Sequence, residues 1–235
     1  MAKQPSKRFK KALELVDAKI TYPLKSAVEV LAKFPKAKFN ETVEVAFKLG
    51  VDPKQSDQMV RGTVPLPHGS GKTVKVLVFA RNGGPADAAK AAGAEYVGYE
   101  DLIKKCVEGW TDFDVAIATP EAMVEVRKLG KVLGPRGLMP NPKTGTVTED
   151  TAKAVKEVKA GRVEFKLDKA GNVHVPIGKA SFTPLQIAEN ARVVIEAVAK
   201  ARPASVKGSY LQSCTLSATM SPPVRIDVRE FLATT

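Results

Sequence analysis

A proline- and glycine-rich segment near the middle of the chain constrains the fold more than any other stretch. Residues 132–147 read VLGPRGLMPNPKTGTV, with three prolines, three glycines and no acidic residue. Because proline fixes φ and has no amide hydrogen, we predict that this segment is neither the interior of a helix nor a central strand. Its cations are Arg136, Lys143 and the preceding Lys131. Two interpretations stay open: an elaborate turn on a basic protein, or a rigid cationic loop that contacts a partner.

The sequence on either side of residues 69–161 carries most of the excess positive charge. The chain has 235 residues and a formal net charge of +12. Residues 69–161 contain 14 Lys and Arg against 12 Asp and Glu, whereas the two flanking segments together contain 23 against 13. A basic surface concentrated in this way favours a polyanionic partner that binds mainly the flanks.

The hydrophobic pattern changes at the same boundaries. Residues 39–49 alternate between apolar and polar side chains, which is typical of a strand in a sheet with one solvated face. Residues 163–168 and 173–177 repeat this pattern on either side of a hairpin signal. Between the flanks, from residue 74 to residue 160, strand-like apolar runs alternate with helical segments, which favours a small parallel α/β structure.

Three helices are predicted from local signals. Helical spacing of apolar residues predicts one helix from Ser6 to about Ile20 and another over residues 120–129. Thr183 and Gln186 form a capping box, with proline between them at the first helical position, which predicts the start of a third helix.

Neither flank alone has enough strands for a covered sheet, so we predict that the two flanks combine. The predicted fold class is α/β and α+β, with two domains. Residues 1–68 plus 162–235 form a discontinuous domain, and residues 69–161 form an α/β domain inserted into it. Two short connections at one place indicate a hinge. The predicted hinge residues are Pro67, Gly69, Ser70 and Gly161.

The composition argues against membrane and secreted classes. The sequence has no run of about 18 apolar residues, and no apolar segment follows its cationic start, so we predict neither a membrane-spanning helix nor a secretory signal. Cys106 and Cys214 are far apart in the sequence, which is typical of a protein without disulfides in a reducing cytosol. We therefore expect a cytoplasmic protein without a membrane partner.

Motifs for catalysis are absent or incomplete. Residues 68–73, HGSGKT, are similar to a phosphate-binding loop, but Leu66 stands where that motif needs its first glycine, and a strand rather than a helix follows. His68 and His174 have no metal-ligand spacing around them, and no nucleophile motif occurs. We predict no enzymatic activity, no metal and no cofactor. The alternative is a nucleotide-dependent enzyme that uses the α/β domain.

Two groups of residues in the flanks are suited to RNA. Lysines attract phosphates, small hydroxyls can contact ribose 2′-hydroxyls, and an aromatic ring can stack on a base or a sugar. The alternatives are a solvated strand for the hydroxyl-bearing residues and a core position for Phe39. The candidate RNA-binding residues are Lys36, Lys38, Phe39, Thr42, Ser213, Thr215, Ser217, Thr219, Met220 and Ser221.

Long and irregular stretches of the chain resemble one known family. Residues 134–147 (GPRGLMPNPKTGTV), residues 149–178 that follow them, and residues 218–223 (ATMSPP) are similar to signature regions of the bacterial L1 family of large-subunit ribosomal proteins. The resemblance implies a split β-α-β domain, ferredoxin- or RRM-like, with an inserted Rossmann-like α/β domain. It implies that large-subunit rRNA binds Phe39, Thr42, Thr219 and Met220, with contributions from Lys38, Lys166, Asp168 and Ser213.

The resemblance also implies a role and further partners. Proteins of this family form the mobile stalk beside the tRNA exit site, assist the release of deacylated tRNA, and repress translation of their own operon by binding its mRNA. The expected partners are therefore rRNA, exit-site tRNA, the operon mRNA and other ribosomal components. The chain departs from the family at Ser221, where the family has a glycine after the Thr-Met pair. Either this position needs no positive φ, or a neighbouring backbone has adjusted.

Overall fold

A computed structural model describes residues 5–81 and 83–232, without the side chains of Lys143 and Leu232. The chain divides into two units. The first comprises the chain up to Gly71 together with the chain from Val163 onward, and the second comprises Lys72–Arg162. These boundaries differ by a few residues from those predicted after residues 68 and 161, and the assignment of the units as domains stays a prediction.

Helices and strands occur in both units, as expected for the predicted mixed α/β fold class, which is confirmed. The N-terminal part of the first unit contains α1 (Lys7–Leu13), α2 (Leu24–Ala32), β1 (Thr42–Leu49) and β2 (Arg61–Pro65). The chain continues through β3 (Val76–Phe79), α3 (Gly84–Ala91), β4 (Tyr96–Gly98), α4 (Glu100–Val107), β5 (Val115–Ala118), α5 (Met123–Val126), α6 (Gly130–Leu133) and α7 (Thr151–Lys159). It ends with β6 (Arg162–Lys166), β7 (Asn172–Lys179), α8 (Pro184–Lys200), β8 (Leu211–Ala218), β9 (Val224–Ile226) and α9 (Arg229–Leu232). Single 3₁₀ turns span Ser56–Gln58, Arg127–Leu129 and Pro142–Thr144.

The first unit is built on a four-stranded antiparallel sheet in the order β7-β1-β8-β9. Side chains on one face of this sheet are buried against α2 and α8, in a core that includes Val45, Phe47, Val175, Leu216 and Ile195. Every second residue of β1 from Val43 onward belongs to this core, so the period-two pattern correctly predicted which face is buried. A separate two-stranded sheet joins β2 to β6.

Local sequence signals explain where several elements of the first unit begin and end. At the start of α8, Thr183 Oγ1 accepts the Gln186 amide at 3.4 Å and Gln186 Oε1 accepts the Thr183 amide at 3.0 Å, which forms a capping box. Gly171 has a φ of +78° in the hairpin between β6 and β7, a conformation that glycine adopts without strain. Pro176 is accommodated because β7 is an edge strand.

The second unit contains a parallel sheet in the order β4-β3-β5. All four residues of β3 are buried, because helices cover both faces of the sheet. Val76, Val78 and Ile117 pack with residues of α3 and α7, and Leu77 and Phe79 pack in a second cluster with residues of α4, α5 and α6. The ferredoxin-like and Rossmann-like topologies named from the resemblance stay predictions.

Two predicted helices are shorter in the structure. Helical spacing predicted a helix from Ser6 to about Ile20, but α1 ends at Leu13. Beyond it the Asp17 amide donates to the Tyr22 hydroxyl at 3.0 Å and the Lys19 amide donates to the Asp17 carboxylate at 2.9 Å, so local bonds replace helical ones. The helix predicted over residues 120–129 is divided into short α and 3₁₀ segments.

Candidate nucleic-acid interface

The outer face of the four-stranded sheet carries mainly polar and charged side chains. Residues directly opposite each other in antiparallel strands project to the same side, so the strand register shows which side chains share this face. Glu44, Ala46 and Lys48 of β1 pair with residues of β7 and β8 that alternate with buried neighbours. The outward residues on the other strands are His174 and Pro176 of β7, Ser213, Thr215 and Ser217 of β8, and Arg225 of β9.

Two turns that are distant in sequence meet where β1 begins and β8 ends. We call residues 36–41 the Phe39 turn and residues 219–221 the Met220 turn. The Thr42 amide donates to Thr219 Oγ1 at 3.1 Å, and the Thr219 amide donates to the Thr42 carbonyl at 3.1 Å. These bonds continue the ladder beyond the pair of Val43 with Ala218. They fix the two turns next to each other at one end of the sheet.

Each of these turns exposes a large apolar side chain. Phe39 is 54% exposed and Met220 is 53% exposed, so neither belongs to the core. The alternation of the sequence left a core position open for Phe39, but β1 starts only at Thr42 and Phe39 precedes it. The Phe39 ring and the Met220 thioether thus lie exposed on two neighbouring turns. Bases or sugars can pack on both side chains.

The hydroxyls of the Met220 turn are used within the protein. Thr219 Oγ1 accepts from the Thr42 amide and also donates to the Thr42 carbonyl at 3.3 Å. Ser221 Oγ accepts the Ala218 amide at 2.8 Å, and the Ser221 amide donates to the Ala218 carbonyl at 3.1 Å. No described residue other than glycine has a positive φ. Ser221 therefore has no positive φ at the position where the family has glycine.

Cations lie around the Phe39 turn. Lys36 and Lys38 are exposed within the turn. Lys179, at the end of β7, donates from Nζ to Thr42 Oγ1 at 2.7 Å, which the sequence did not predict. The Thr42 hydroxyl accepts from a lysine and keeps its own hydrogen as a donor. This end of the sheet thus combines positive charge with the two exposed apolar side chains.

Lys166 and Asp168 lie at the opposite end of the sheet from the two turns. Asn172, next to them in the hairpin, pairs with Lys48 near the end of β1, and an eight-residue strand is about 23 Å long. The Asp168 carboxylate accepts the amides of Asn172 at 2.7 Å and Ala170 at 2.8 Å. These hydrogen bonds, that of Asn172 first, lower the pKa of Asp168 from its usual value. Because the hairpin lies at the far end of β1, the Asp168 carboxylate is not near the two turns.

The basic Pro/Gly loop of the second unit is fixed by hydrogen bonds. Arg162 donates to the Thr144 carbonyl at 2.8 Å and to Glu157 at 2.9 Å. Gly145 has a φ of +66°, a conformation that glycine adopts without strain, so this position favours glycine. Arg136 donates to Thr111 Oγ1. Of the other two predicted cations in this loop, Lys131 is exposed, and the side chain of Lys143 lies outside the described residues.

The predicted hinge residues lie close to the two unit boundaries. Pro67 is exposed, and Gly69 has a φ of +69° and donates its amide to the Leu66 carbonyl at 3.1 Å. Ser70 follows it within the first unit. Gly161, with a φ of +100°, ends the segment after α7. Their action as a hinge stays a prediction.

Candidate catalytic groups do not converge. Within the described part of the chain, no group of three or more His, Cys, Asp or Glu is arranged to hold a metal ion. His68 pairs with Glu189, and His174 lies on the outer face of the sheet. Cys106 and Cys214 are buried, and burial raises the pKa of both thiols, to about 12 for Cys214. Over the same described residues, the helices are too short or too polar to span a lipid bilayer.

Sequence reasoning missed two buried polar residues, although each left a signal. Glu41 is only 6% exposed and lies in the Phe39 turn. Glu41 lies two residues before Val43 and is in phase with the buried residues of β1. The sequence therefore has an acidic residue at a position where the alternating pattern predicts an apolar one. Asn190 is fully buried in α8, where it interrupts the apolar stripe of Ile187, Ala191 and Val194. A polar residue on an apolar stripe indicates a specific hydrogen-bonding role.

A sheet with a polar outer face, basic flanks and two turns that each expose one large apolar side chain is typical of a protein that binds folded RNA. The chain belongs to the ribosomal protein L1p/L10e family, whose sequence pattern matches residues 31–222. The match includes the Phe39 turn, the Met220 turn and the whole second unit. Membership makes the chain a structural ribosomal protein that binds rRNA.

Proposed function

We propose that the first unit binds large-subunit rRNA through the Phe39 turn, the Met220 turn and the adjoining outer face of the sheet. The observation that carries this proposal is the meeting of the two turns, joined by bonds between residues 177 positions apart. Family membership supplies rRNA as the partner, and the choice of contacting residues is ours. The chain then forms part of the mobile stalk of the large subunit, beside the tRNA exit site.

The chemistry of this surface suits double-stranded and looped RNA. A-form RNA presents its 2′-hydroxyls in a wide, shallow minor groove, which a flat surface with short side chains can approach closely. Ser213, Thr215 and Ser217 provide such side chains on β8. Phe39 and Met220 pack against sugars or unstacked bases at the end of the sheet. Lysines around the turns neutralise phosphates, which makes binding salt-dependent.

The position of Lys166 and Asp168 adds a constraint on the RNA. If they also contact rRNA, the bound segment extends along β1, over about 23 Å from the turns to the hairpin. Lys48 and Ser213 lie along this path, at the hairpin end of the sheet. A compact RNA loop that contacts only the turns would leave Lys166 and Asp168 without a role in binding.

We propose that the same surface also represses translation of the chain's own operon. An mRNA element with the shape of the rRNA site would occupy the same residues, so rRNA and mRNA would compete for one site. We propose in addition that the second unit moves on the hinge residues and contacts deacylated tRNA as it leaves the exit site. Other ribosomal components complete the set of partners, on the cytoplasmic ribosome.

The test of this proposal is a charge placed in the Met220 turn. Met220→Asp is expected to weaken binding to a large-subunit rRNA fragment by at least about tenfold, because it adds a carboxylate next to phosphates and removes an apolar contact. Its unfolding midpoint should stay close to that of the wild type, because the side chain is exposed. Fluorescence anisotropy with labelled RNA measures the affinity, and circular dichroism measures the unfolding.

A matched control replaces an exposed apolar side chain of the second unit by aspartate. Val124 is 68% exposed, and Val124→Asp alters charge and apolar surface without touching either turn. We expect it to bind the rRNA fragment with an affinity within about twofold of the wild type. Full affinity of Met220→Asp, or an equal loss in both variants, would remove the Met220 turn from the binding surface.

A further inference from the structure

The two turns of the proposed RNA-binding surface are bridged by one buried carboxylate. Glu41 Oε1 accepts the Met220 amide at 3.1 Å, and Oε2 accepts the Ala37 amide at 3.4 Å. The Glu41 carbonyl accepts the Ala180 amide at 2.8 Å, so its backbone is also fixed to the chain beyond β7. A single residue thus holds three segments that are far apart in sequence.

A negative charge on Glu41 is unfavourable for two reasons, its burial and its position beside the proposed RNA-binding surface. Glu41 is 6% exposed, and burying a carboxylate costs free energy unless hydrogen bonds compensate for its lost hydration. A carboxylate next to a polyanion site also opposes phosphate binding. Its two bonds to backbone amides supply this compensation, and the bond to the Met220 amide, at 3.1 Å, is the shorter of the two. The geometry indicates that Glu41 is there to hold the turns.

Side-chain packing alone does not hold the two turns in place. A partly open pocket of about 120 Å³ adjoins both turns, and Glu41, Lys36 and Ser221 are among its lining residues. Its remaining walls are largely apolar, from α2, β1 and α8. Because interiors are normally filled, the space in this pocket marks a place where no side chain packs against the turns. The apolar residues on its walls include Leu31, Phe34, Val43, Phe182 and Ile187.

We propose that Glu41 is a positioning residue for RNA binding: its carboxylate fixes the spacing of Phe39 and Met220 before RNA arrives. A surface fixed in advance loses less conformational entropy on binding than two independent turns would. Glu41 itself does not contact RNA. This inference rests on the proposed function, because it assumes that the two turns form the RNA-binding surface.

The substitution Glu41→Gln tests the proposal with little change in shape. The amide group puts an NH₂ donor where one carboxylate oxygen was, so either the Ala37 or the Met220 amide faces a donor and not an acceptor. Glu41→Gln is expected to weaken binding to the rRNA fragment by about tenfold. The slope of log affinity against log salt should stay the same, because no phosphate contact is lost. Amide exchange at Met220 should accelerate in the free protein.

The sign of the change in RNA affinity distinguishes a positioning role of Glu41 from a purely electrostatic one. Removing a carboxylate near RNA should strengthen binding if only electrostatics mattered. The control Glu14→Gln makes the same change at an exposed residue at the end of α1, which belongs to neither turn. We expect its affinity to be equal to that of the wild type or slightly higher. If Glu41→Gln bound RNA as tightly as Glu14→Gln does, the positioning role would be refuted.

A double-mutant cycle with Met220→Ala tests whether Glu41→Gln weakens RNA binding through the Met220 turn or through a general loss of protein stability. If Glu41 acts through the Met220 turn, Glu41→Gln should cost less than about twofold in affinity once Met220 is already alanine. An equal cost in both backgrounds overturns the proposal. Glu41→Asp, which keeps the charge but is one methylene too short to reach both amides, should behave like Glu41→Gln.

The same set of variants distinguishes the two levels of the hypothesis. If Phe39→Ala and Met220→Ala bind RNA normally, the proposed surface itself is wrong, whatever Glu41 does. If both weaken binding and Glu41→Gln does not, the surface stands and only the positioning role is refuted. Circular dichroism on each variant confirms that the fraction of folded protein is the same.

Discussion

Asn190 offers the sharpest stability prediction, because one buried amide satisfies three backbone groups. Its Oδ1 accepts the His68 amide at 3.1 Å, and its Nδ2 donates to the carbonyls of Gly69 at 3.0 Å and Ile177 at 2.8 Å. The side chain is fully buried in α8. Asn190 therefore fixes the last residues of the first unit before the chain enters the second unit, next to the predicted hinge.

The substitution Asn190→Leu keeps the approximate shape and removes all three bonds. The Ile177 carbonyl is buried, so leaving it without a partner costs about 2 kcal/mol. The His68 amide and the Gly69 carbonyl are partly buried and can recruit water, so each loses about 1 kcal/mol. Burial of the leucine returns about 1 kcal/mol. We expect the free energy of unfolding to fall by about 3 kcal/mol.

Urea denaturation followed by far-UV circular dichroism measures this change. The matched control is Asn40→Leu, because Asn40 makes two hydrogen bonds to Ser181, at 3.1 and 3.2 Å, at an exposed position. There water replaces the lost partners, and we expect a loss below about 1 kcal/mol. If Asn190→Leu cost no more than Asn40→Leu, the buried network would contribute nothing special and the reasoning would be refuted.

Two further predictions follow from ionisable groups. The lowered pKa of Asp168 means that its hydrogen bonds stabilise the hairpin above the usual value of 3.8 and that this contribution is lost as the pH falls through the folded-state pKa. The difference in unfolding midpoint between wild type and Asp168→Ala should therefore shrink as the pH drops below about 4, and a pH-independent difference would contradict this. At pH 8, Cys106 and Cys214 should react with a thiol reagent at least about 100-fold more slowly in the native protein than in urea, because both are buried and have raised pKa values. Fast labelling of the native protein would show that these thiols are accessible.

The strand pattern of the first unit could be predicted from the sequence because it depends on local alternation. Val43 to Leu49 alternate as expected, and the capping box at Thr183 correctly predicted the start of α8. The end of α1 could not be predicted in the same way. Leu13 and Ile20 continue the helical spacing, but both are exposed, so burial does not favour a longer helix.

The candidate site depended on long-range contacts that periodicity does not contain. Alternation extended β1 back to Phe39, whereas hydrogen bonds to Thr219 and Met220 fix where the strand begins and leave Phe39 outside it. Glu41 was visible only as a polar residue at an apolar position. Which amides it binds depends on a partner segment 179 residues away, so sequence spacing could not have indicated it.

Directed cleavage of rRNA from the two turns tests most directly whether they form one binding surface. Single cysteines would be introduced beside the turns, as Lys38→Cys and Pro223→Cys, and each would carry a tethered iron chelate that cleaves nearby RNA. The native thiols of Cys106 and Cys214 are buried and should remain unlabelled. Both positions are exposed and leave Phe39 and Met220 unchanged.

If the two turns bind the same RNA segment, both variants should cleave overlapping sets of rRNA nucleotides. A third variant, Val124→Cys in the second unit, provides the comparison and should give a different pattern. Cleavage from Lys38→Cys and Pro223→Cys at separate, non-overlapping sites, or no cleavage from one of them, would contradict a single surface built from both ends of the chain.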